Sequence, residues 1–308
     1  MSEARATTVD EQNIQGVGGL NIFVRSWRPD ANACGVVVIV PGFNAHSGYY
    51  GWVAQQLTAS ALAVYAVDLR GRGRSDGDRF YVEKVADWVS DVGAAIAFAK
   101  SREPGLPVFL LGHSAGGVVS CLYALEHQAE LAGFICESFA FEVPAPDVAL
   151  AAFKGLSHVA PHARVYHIKN EYFSRDPSVV QAMNEDPLIA GETQPVQTAA
   201  EIVRADERLK AEFQRITLPL LILHGTDDKV TKSDGSKLFY ERAGSPDKTI
   251  KLYEGHFHDL LNDVDKESVI GDIKSWIAAR LPATKSVAQV HRGSEDVQPA
   301  HAVPAWRH

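Results

Sequence analysis

Short apolar runs recur along this chain and alternate with stretches in which apolar residues follow helical spacing. Two runs, GVVVIV at residues 35–40 and VFLL at residues 108–111, contain no polar side chain and predict strands covered on both faces. Further strands are predicted over residues 20–27, 64–67, 133–136, 219–223 and 248–253, the first of them at an edge of the sheet.

The stretches between these runs place apolar residues on one helical face. They predict helices over residues 46–59, 82–100, 118–125, 233–243 and 264–280. A chain in which strands and helices alternate folds as a mostly parallel sheet with helices on both faces. The sequence therefore predicts an α/β fold.

This alternation is interrupted from residue 139 to residue 213, where scattered prolines separate helix-like pieces. We call residues 139–213 the cap and predict that it is inserted into an α/β core formed by residues 1–138 and 214–282. Residues 283–308 are polar and lack an apolar period, so they predict a disordered tail.

The composition excludes several classes of protein. The 308 residues are 46% hydrophobic and 22% charged, as in an ordinary globular protein. A net charge of −8 and the lack of a basic run argue against a nucleic-acid partner. The cysteines, Cys34, Cys121 and Cys136, have no metal-ligand spacing, and neither a signal peptide nor a long apolar span is apparent. We therefore expect a cytoplasmic location.

The candidate chemistry begins where the strand VFLL ends. Gly112, His113, Ser114, Ala115 and Gly116 form a Gly-x-Ser-x-Gly motif between this strand and a predicted helix. In that context the glycines permit a sharp turn, which exposes the serine hydroxyl at the carboxyl edge of the sheet. The flanking strand and helix favour Ser114 as a nucleophile over a turn without function.

A serine nucleophile requires a base and an acid that orients the base, here expected in the chain order Ser, Asp or Glu, His. The loops that follow the last two strands carry the sequences LHGTDD and EGHFHD. Because the carboxyl ends of parallel strands meet at one edge, both loops are expected beside Ser114. Asp228 is favoured over Asp227 because it lies further from its strand, and His258 over His256 because it precedes the final helix.

The oxyanion that forms during acyl transfer requires backbone N–H donors. Ala115 follows the nucleophile, and the turn at residues 41–43 follows an apolar strand, so the N–H groups of Ala115 and Phe43 are the candidates. His224 and His113 are expected to support the site by packing. The sequence has neither a cofactor motif nor clustered metal ligands, so no cofactor and no metal are predicted.

Several segments occur in the order found in one enzyme superfamily: PGFNAHSGYY, VDLRGRGRSDG, LPVFLLGHSAGG, SRDPSVV, NEDPL, LHGTDD and YEGHFHDL. Through them the chain resembles the α/β-hydrolase superfamily, and within it the monoacylglycerol lipase and lysophospholipase group, over residues 16–281. The resemblance implies an α/β-hydrolase fold with a helical cap inserted after the sixth strand. It also implies Ser114, Asp228 and His258 as the triad, with Phe43 and Ala115 as oxyanion donors.

The function implied by this resemblance is a serine hydrolase that cleaves a small-molecule acyl ester, such as a monoacylglycerol or lysophospholipid, through an acyl-enzyme. Pro41 stands where the family usually has His, and residues 141–175 do not match closely. Substrate choice is expected to lie in the cap, together with transient contact with a membrane or micelle. Its apolar residues could line an acyl tunnel or pack the cap onto the core: Val148, Leu150, Phe153, Leu156, Tyr166, Ile168 and Phe173.

Two alternatives stay open. One is an esterase, amidase or aminopeptidase for another small substrate, in which Glu142, Asp147, Glu171 or Glu185 could bind an amine. The other is a non-catalytic binding member of the fold, against which the complete set of triad candidates argues. Dehalogenases and epoxide hydrolases of this fold use an Asp nucleophile, which disfavours both activities here.

Overall fold

A computed structural model describes residues 8–143 and 147–282, so the predicted tail at residues 283–308 lies outside the described residues. The strands are β1 (Thr8–Gln15), β2 (Asn21–Arg28), β3 (Gly35–Val40), β4 (Leu62–Val67), β5 (Val108–His113), β6 (Gly133–Glu137), β7 (Arg164–Tyr166), β8 (Gln194–Pro195), β9 (Leu220–Gly225) and β10 (Lys248–Tyr253). The centre of the structure is an eight-stranded sheet with the order β1-β2-β4-β3-β5-β6-β9-β10, and β7 pairs with β8 apart from it.

Every pairing from β4 across to β10 is parallel. The mostly parallel sheet predicted from the alternation of strands and helices is therefore confirmed. Parallel strands direct their carboxyl ends to one edge. This places the loops after β3, β5, β6, β9 and β10 along the same side of the molecule.

The expectation that residues 20–27 form an edge strand is wrong. β2 lies between β4 and β1, and it pairs antiparallel with β1 from Thr8 opposite Arg28 to Gln15 opposite Asn21. The sequence of β1, TVDEQNIQ, is mostly polar and half exposed, as suits an edge strand. An analysis based on apolar runs misses such a strand.

The helices in the described ranges are α1 (Gly51–Thr58), α2 (Val85–Arg102), α3 (Ala115–His127), α4 (Asp147–Leu156), α5 (Pro177–Glu185), α6 (Val196–Glu212), α7 (Ser233–Arg242) and α8 (Lys266–Ala278). The five helices predicted between the core strands all form, with ends that differ from the prediction by a few residues. The segment before α1 begins with a 3-10 turn, Ser47–Tyr50.

Helices cover both faces of the sheet. Along β3 the side chains of Val36, Val38 and Val40 join one apolar cluster, with residues of α2, α3 and α7. Val37 and Ile39 point the other way and join residues of α1 and α8. All five side chains are fully buried, as expected for a strand that is apolar at every position.

The segment between β6 and β9 contains α4, α5, α6 and the β7–β8 pair. Polar contacts tie it to the loops at the carboxyl edge of the sheet. Asp186 accepts hydrogen bonds from Tyr49 Oη at 2.8 Å and contacts His46 Nε2 at 2.7 Å, while Arg72 Nη2 donates to Gln194 Oε1 at 2.8 Å. The segment therefore lies over the edge at which the candidate site is expected.

Candidate active site

The turn between β5 and α3 holds Ser114 in a strained backbone conformation, with φ 54° and ψ −121°. Such a conformation is costly for a residue with a side chain, and it persists only where the surroundings enforce it. The Ser114 N–H donates to the Glu137 carbonyl at 2.9 Å, which anchors the turn to the end of β6. The side chain of Ser114 stands at the carboxyl edge of the sheet.

Three glycines allow neighbouring segments to approach this turn. A Cβ atom at Gly116 would lie 2.2 Å from the Val40 carbonyl oxygen, and one at Gly112 would lie 2.7 Å from the Gly116 oxygen. A Cβ atom at Gly42 would lie 2.7 Å from the Cβ of Ser114. The glycines of the motif and Gly42 are therefore required because no side chain fits between the turn and the end of β3.

The loop after β9 positions a buried carboxylate. The Oδ1 atom of Asp228 accepts the N–H groups of Val230 at 2.7 Å and Thr231 at 2.9 Å, and its Oδ2 atom accepts the Thr231 hydroxyl at 2.8 Å. The side chain of Asp228 is 1% exposed, whereas its neighbour Asp227 is exposed to solvent. The local hydrogen bonds thus select Asp228 as the inward-facing carboxylate.

His258, in the loop after β10, completes this pair. Its Nδ1 atom lies 2.8 Å from Asp228 Oδ2, and its Nε2 atom is buried without a hydrogen-bond partner among the described residues. The ring of His258 packs against Phe173 at 5.2 Å and against His113, which precedes Ser114, at 4.9 Å between centroids. An imidazole held in this way presents Nε2 as a free proton acceptor beside the serine turn.

The electrostatics of the pair follow from its burial and its partners. Burial by itself raises the pKa of Asp228, but the charge of His258 and hydrogen bonds from His224 and His258 outweigh it and hold that pKa well below its usual range. Burial, with the nearby charge of His258, lowers the pKa of His113 to about 3. Asp228 is therefore an anion and His113 a neutral ring at neutral pH.

The expectation that His224 only packs beneath the site needs correction. Its Nε2 atom lies 3.0 Å from Asp228 Oδ2, and its Nδ1 atom accepts the Ser236 hydroxyl at 2.7 Å. His224 is thus a direct partner of the carboxylate. Thr231, which the sequence analysis does not single out, is another partner; its position three residues after Asp228 is the local signal that could have found it.

His256, the candidate that the sequence disfavours, points elsewhere. Its Nδ1 atom lies 3.8 Å from Asp263 Oδ2, and Asp263 also accepts a hydrogen bond from Arg175 Nε at 2.8 Å. Burial and the positive charge of Arg175 lower the pKa of His256. It belongs to a separate network that joins the loop after β10 to the cap.

The two candidate oxyanion donors lie on the segments that meet at Ser114. Ala115 opens α3, and Phe43 follows Gly42, the residue that approaches the Ser114 Cβ. The Phe43 ring is 9% exposed and packs between Trp88, at 6.3 Å, and the guanidinium of Arg72, at 4.4 Å. This packing fixes the turn that carries the Phe43 N–H.

A polar cavity of about 550 Å³ begins next to this turn. Asn44, the residue after Phe43, forms part of its wall, and its Nδ2 atom donates to the Ile168 carbonyl at 3.1 Å and to Asn170 Oδ1 at 2.8 Å. The cap supplies most of the remaining lining, including Lys169, Asn170, Glu171, Tyr172 and Asn184. Met183 and Ile189 also line the cavity, so its wall combines polar with apolar side chains.

The apolar cap residues divide between two environments. Ile168 and Phe173 are buried, and Phe173 packs on His258, so these two join the cap to the core. Val148 is 78% exposed and Leu156 is 42% exposed. Val148 and Leu156 therefore fit neither of the two roles that the sequence leaves open, an acyl tunnel or packing onto the core, because both face solvent.

The sequence of this chain is similar to those of known hydrolases. Residues 31–265 match the family described as serine aminopeptidase, S33. A monoacylglycerol lipase of Mycolicibacterium smegmatis is 34% identical over 280 residues, which cover 90% of this chain and 99% of that protein. The monoglyceride lipase of Homo sapiens is 33% identical over 88% of this chain and 91% of its own length.

A solved structure leads to the same group. The monoacylglycerol lipase of Paleococcus ferrophilus is 27% identical, covers 89% of this chain and 99% of its own, and superposes with a TM-score of 0.75. The fold and the serine turn define an α/β-hydrolase. The chain belongs to the serine aminopeptidase S33 family of that superfamily, in its monoglyceride lipase-like group. The family resemblance predicted from the ordered segments is confirmed.

Proposed function

We propose that Ser114, His258 and Asp228 form a catalytic triad. The observation that carries this proposal is the 2.8 Å contact of His258 Nδ1 with Asp228, which leaves the buried Nε2 atom of His258 unpartnered beside the serine turn. Nε2 removes the proton as Ser114 Oγ attacks the carbonyl carbon, and Asp228 stabilises the resulting imidazolium. The proton is then delivered to the leaving alcohol, and water repeats the sequence to release the acid.

The N–H groups of Phe43 and Ala115 are proposed as the donors to the oxyanion. Backbone donors fixed before the reaction stabilise the tetrahedral intermediate without reorganising. The packing of Phe43 against Trp88 and Arg72 supports this role, since it holds the turn rigid. Only the backbone of Phe43 acts on the substrate in this scheme.

The chain is a carboxylic ester hydrolase that acts on a small-molecule ester. We propose monoacylglycerols or lysophospholipids as the substrate class, because curated relatives covering most of the chain are monoglyceride lipases. The polar cavity beside Asn44 is suited to the glycerol or other polar head group. We further propose that residues 139–213 act as the cap that selects the substrate, over a core of residues 1–138 and 214–282.

The outer face of α4 supports contact with a lipid surface. On α4, Val148 and Leu156 are 78% and 42% exposed, with Ala152 and Gly155 exposed between them, and Val159 in the turn after α4 is 83% exposed. An exposed apolar stripe of this kind is typical of helices that lie in a membrane interface. Within the described ranges, no helix is long and apolar enough to cross a membrane. The cytoplasmic location stays a prediction.

Purified enzyme assayed against monoacylglycerols and short p-nitrophenyl esters tests the substrate class. We expect monoacylglycerols of medium or long chain to be cleaved with the higher kcat/KM. Wild-type protein should react with a fluorophosphonate, and Ser114→Ala should not. A wild-type protein that the probe leaves unlabelled would contradict the triad, whereas a preference for short chains would contradict only the substrate class.

The membrane contact is tested separately by sedimentation with phosphatidylcholine vesicles. Val148→Asp combined with Val159→Asp should reduce vesicle binding and leave hydrolysis of a soluble short ester unchanged. Val264→Asp is the matched control, since Val264 is 43% exposed and lies outside the cap. Equal binding by all three proteins would refute the proposed contact.

An aminopeptidase-like activity is the second candidate. The family description names a serine aminopeptidase, and Glu171 lines the polar cavity, where its carboxylate could bind an α-amine. Cleavage of aminoacyl p-nitroanilides that is lost in Glu171→Gln would support this activity. Activity on monoacylglycerols with none on the anilides would exclude it.

A further inference from the structure

Glu137, the last residue of β6, contacts the segments that carry both proposed catalytic residues. Its carbonyl oxygen accepts the Ser114 N–H at 2.9 Å, and its carboxyl Oε1 accepts the N–H of Leu261 at 3.1 Å. Leu261 lies three residues after His258. A single fully buried residue therefore joins the turn of the nucleophile to the loop of the base.

The second oxygen of Glu137 faces other buried groups. Glu137, Asp259 and His113 each place a nitrogen or carboxylate oxygen within 4.8 Å of the other two. Glu137 Oε2 and Asp259 Oδ1 find no hydrogen-bond partner among the described residues. Neither Lys nor Arg among the described residues forms an ion pair with either carboxyl group.

Two carboxylates so close together, away from solvent and without a cation, cannot both be ionised. Burial, and then the charge of Asp259, raise the pKa of Glu137. Burial raises the pKa of Asp259 to about 6, although the hydrogen bond from Asn262 acts to lower it. His113 is neutral and offers no compensating charge. One proton is therefore retained by the pair at neutral pH.

We propose that Glu137 is a positioning residue, which fixes the His258 loop relative to Ser114 through its hydrogen bond to Leu261, while the buried pair of Glu137 and Asp259 retains one proton. This inference rests on the proposed triad. Glu137 does not touch the substrate in this scheme. Its carboxyl group acts through the geometry of His258, and its protonated form allows an acidic side chain to stay buried at that position.

The test compares Glu137→Gln with Glu137→Leu. Gln keeps an oxygen that accepts the Leu261 N–H and an amide that can donate to Asp259, so its kcat on a soluble p-nitrophenyl ester should stay within about threefold of wild type. Leu is close in size but accepts no hydrogen bond. Because a displacement of about 1 Å costs on the order of 100-fold in rate, Glu137→Leu should lower kcat by that factor with KM within about twofold.

Ile135→Ala is the control for a simple loss of packing, since Ile135 lies on the same face of β6 and is fully buried. It should lower the melting temperature without lowering kcat at 25 °C. Fluorophosphonate labelling should slow in Glu137→Leu and be absent in Ser114→Ala. An unlabelled wild type would therefore refute the triad, whereas slow labelling confined to Glu137→Leu supports positioning.

Three results would overturn the proposal. The first is a Glu137→Leu protein with the kcat of wild type. The second is a folded Glu137→Gln protein that loses as much kcat as Glu137→Leu, which would show that a charged carboxylate is required. The third is a stoichiometric divalent metal in the purified wild-type protein that is absent from Glu137→Gln, because a metal would replace the proton that the pair retains.

Discussion

At the scale of single residues, the anion of Asp228 is surrounded by more donors than an orienting acid requires. It accepts two backbone N–H groups, the Thr231 hydroxyl and two imidazole N–H groups, from His224 and His258. Hydrogen bonds to the charged form stabilise it against burial. The same donors fix the carboxylate that holds His258, so the orientation of the base depends on residues that contact Asp228 and not His258 alone.

Replacing this acid tests its role most directly. Asp228→Asn should lower kcat by roughly 10⁴-fold with little change in KM, because the amide favours the wrong tautomer of His258. Steady-state kinetics on a soluble ester measures the effect. Asp227→Asn is the matched control, because it makes the same replacement at the adjacent, exposed aspartate. The kcat of this variant should equal that of wild type. An equal loss in both variants would contradict the assignment.

Thr231 provides a smaller test of the same network. Thr231→Val keeps the shape and the backbone N–H but removes the hydroxyl that donates to Asp228 at 2.8 Å. A hydrogen bond to a charged group is worth about 1.5–3 kcal/mol, so we expect kcat to fall by roughly tenfold or more. Thr226→Val serves as control because Thr226 is exposed and its hydroxyl oxygen accepts the N–H of Gly255, not a group of Asp228. Unchanged kcat in Thr231→Val would refute the expectation.

The sequence predicts which residues converge better than it predicts what supports them. Chain order and strand ends bring Ser114, Asp228 and His258 to one edge, and the structure places His258 and Asp228 2.8 Å apart. The contributions of His224 and Thr231 depend on how the loop after β9 turns back on itself. Such side-chain directions have no periodic signature in the sequence. The catalytic roles stay predictions until variants are measured.

At the scale of elements, the close approach of β3 to α3 is what allows the serine turn to form. Gly116→Ala would place a methyl group 2.2 Å from the Val40 oxygen and 2.4 Å from the Pro41 oxygen, both backbone atoms that cannot rotate away. We expect a loss of roughly 1–3 kcal/mol or more in the free energy of unfolding, with a large loss of kcat as the Phe43 turn is displaced.

Gly271→Ala is the control for this substitution. Gly271 lies within α8, and a Cβ atom there would meet nothing within 4 Å. Alanine should therefore raise the free energy of unfolding by about 0.5–1 kcal/mol, through helix propensity alone. Urea denaturation of both variants measures the contrast. Similar changes in the two proteins would mean that the approach of β3 does not constrain Gly116.

Apolar strands are easier to predict than polar ones for a physical reason. β3 and the first four residues of β5 are buried on both faces and apolar at every position, so these runs are visible in the sequence. β1 forms because its backbone pairs with β2, a hydrogen-bonding requirement that hardly constrains side chains. In α4 the apolar spacing is visible, but Val148 and Leu156 face solvent, because amphipathic spacing does not say which face packs.

At the scale of the whole molecule, the buried carboxyl pair should make stability depend on pH. An acid whose pKa is higher in the folded than in the unfolded chain binds more protons when folded. Asp259, with its pKa raised from 3.8 to about 6, therefore stabilises the fold most below pH 4, and that contribution is lost as the pH rises through 6. Asp228, whose pKa is lowered, contributes in the opposite sense, and its contribution is lost only as the pH falls below 4.

Asp259→Asn removes the titration of Asp259, together with the charge that helps to raise the pKa of Glu137. Between pH 4.5 and pH 8 the free energy of unfolding of wild type should fall by about 1–3 kcal/mol relative to the variant, since one pKa unit corresponds to about 1.4 kcal/mol. Urea denaturation at both pH values measures the difference. Asp227→Asn, which removes an exposed carboxylate, should follow wild type at both. Parallel curves for wild type and Asp259→Asn would show that Asp259 is already ionised at pH 4.5 in the folded protein, and would contradict the raised pKa.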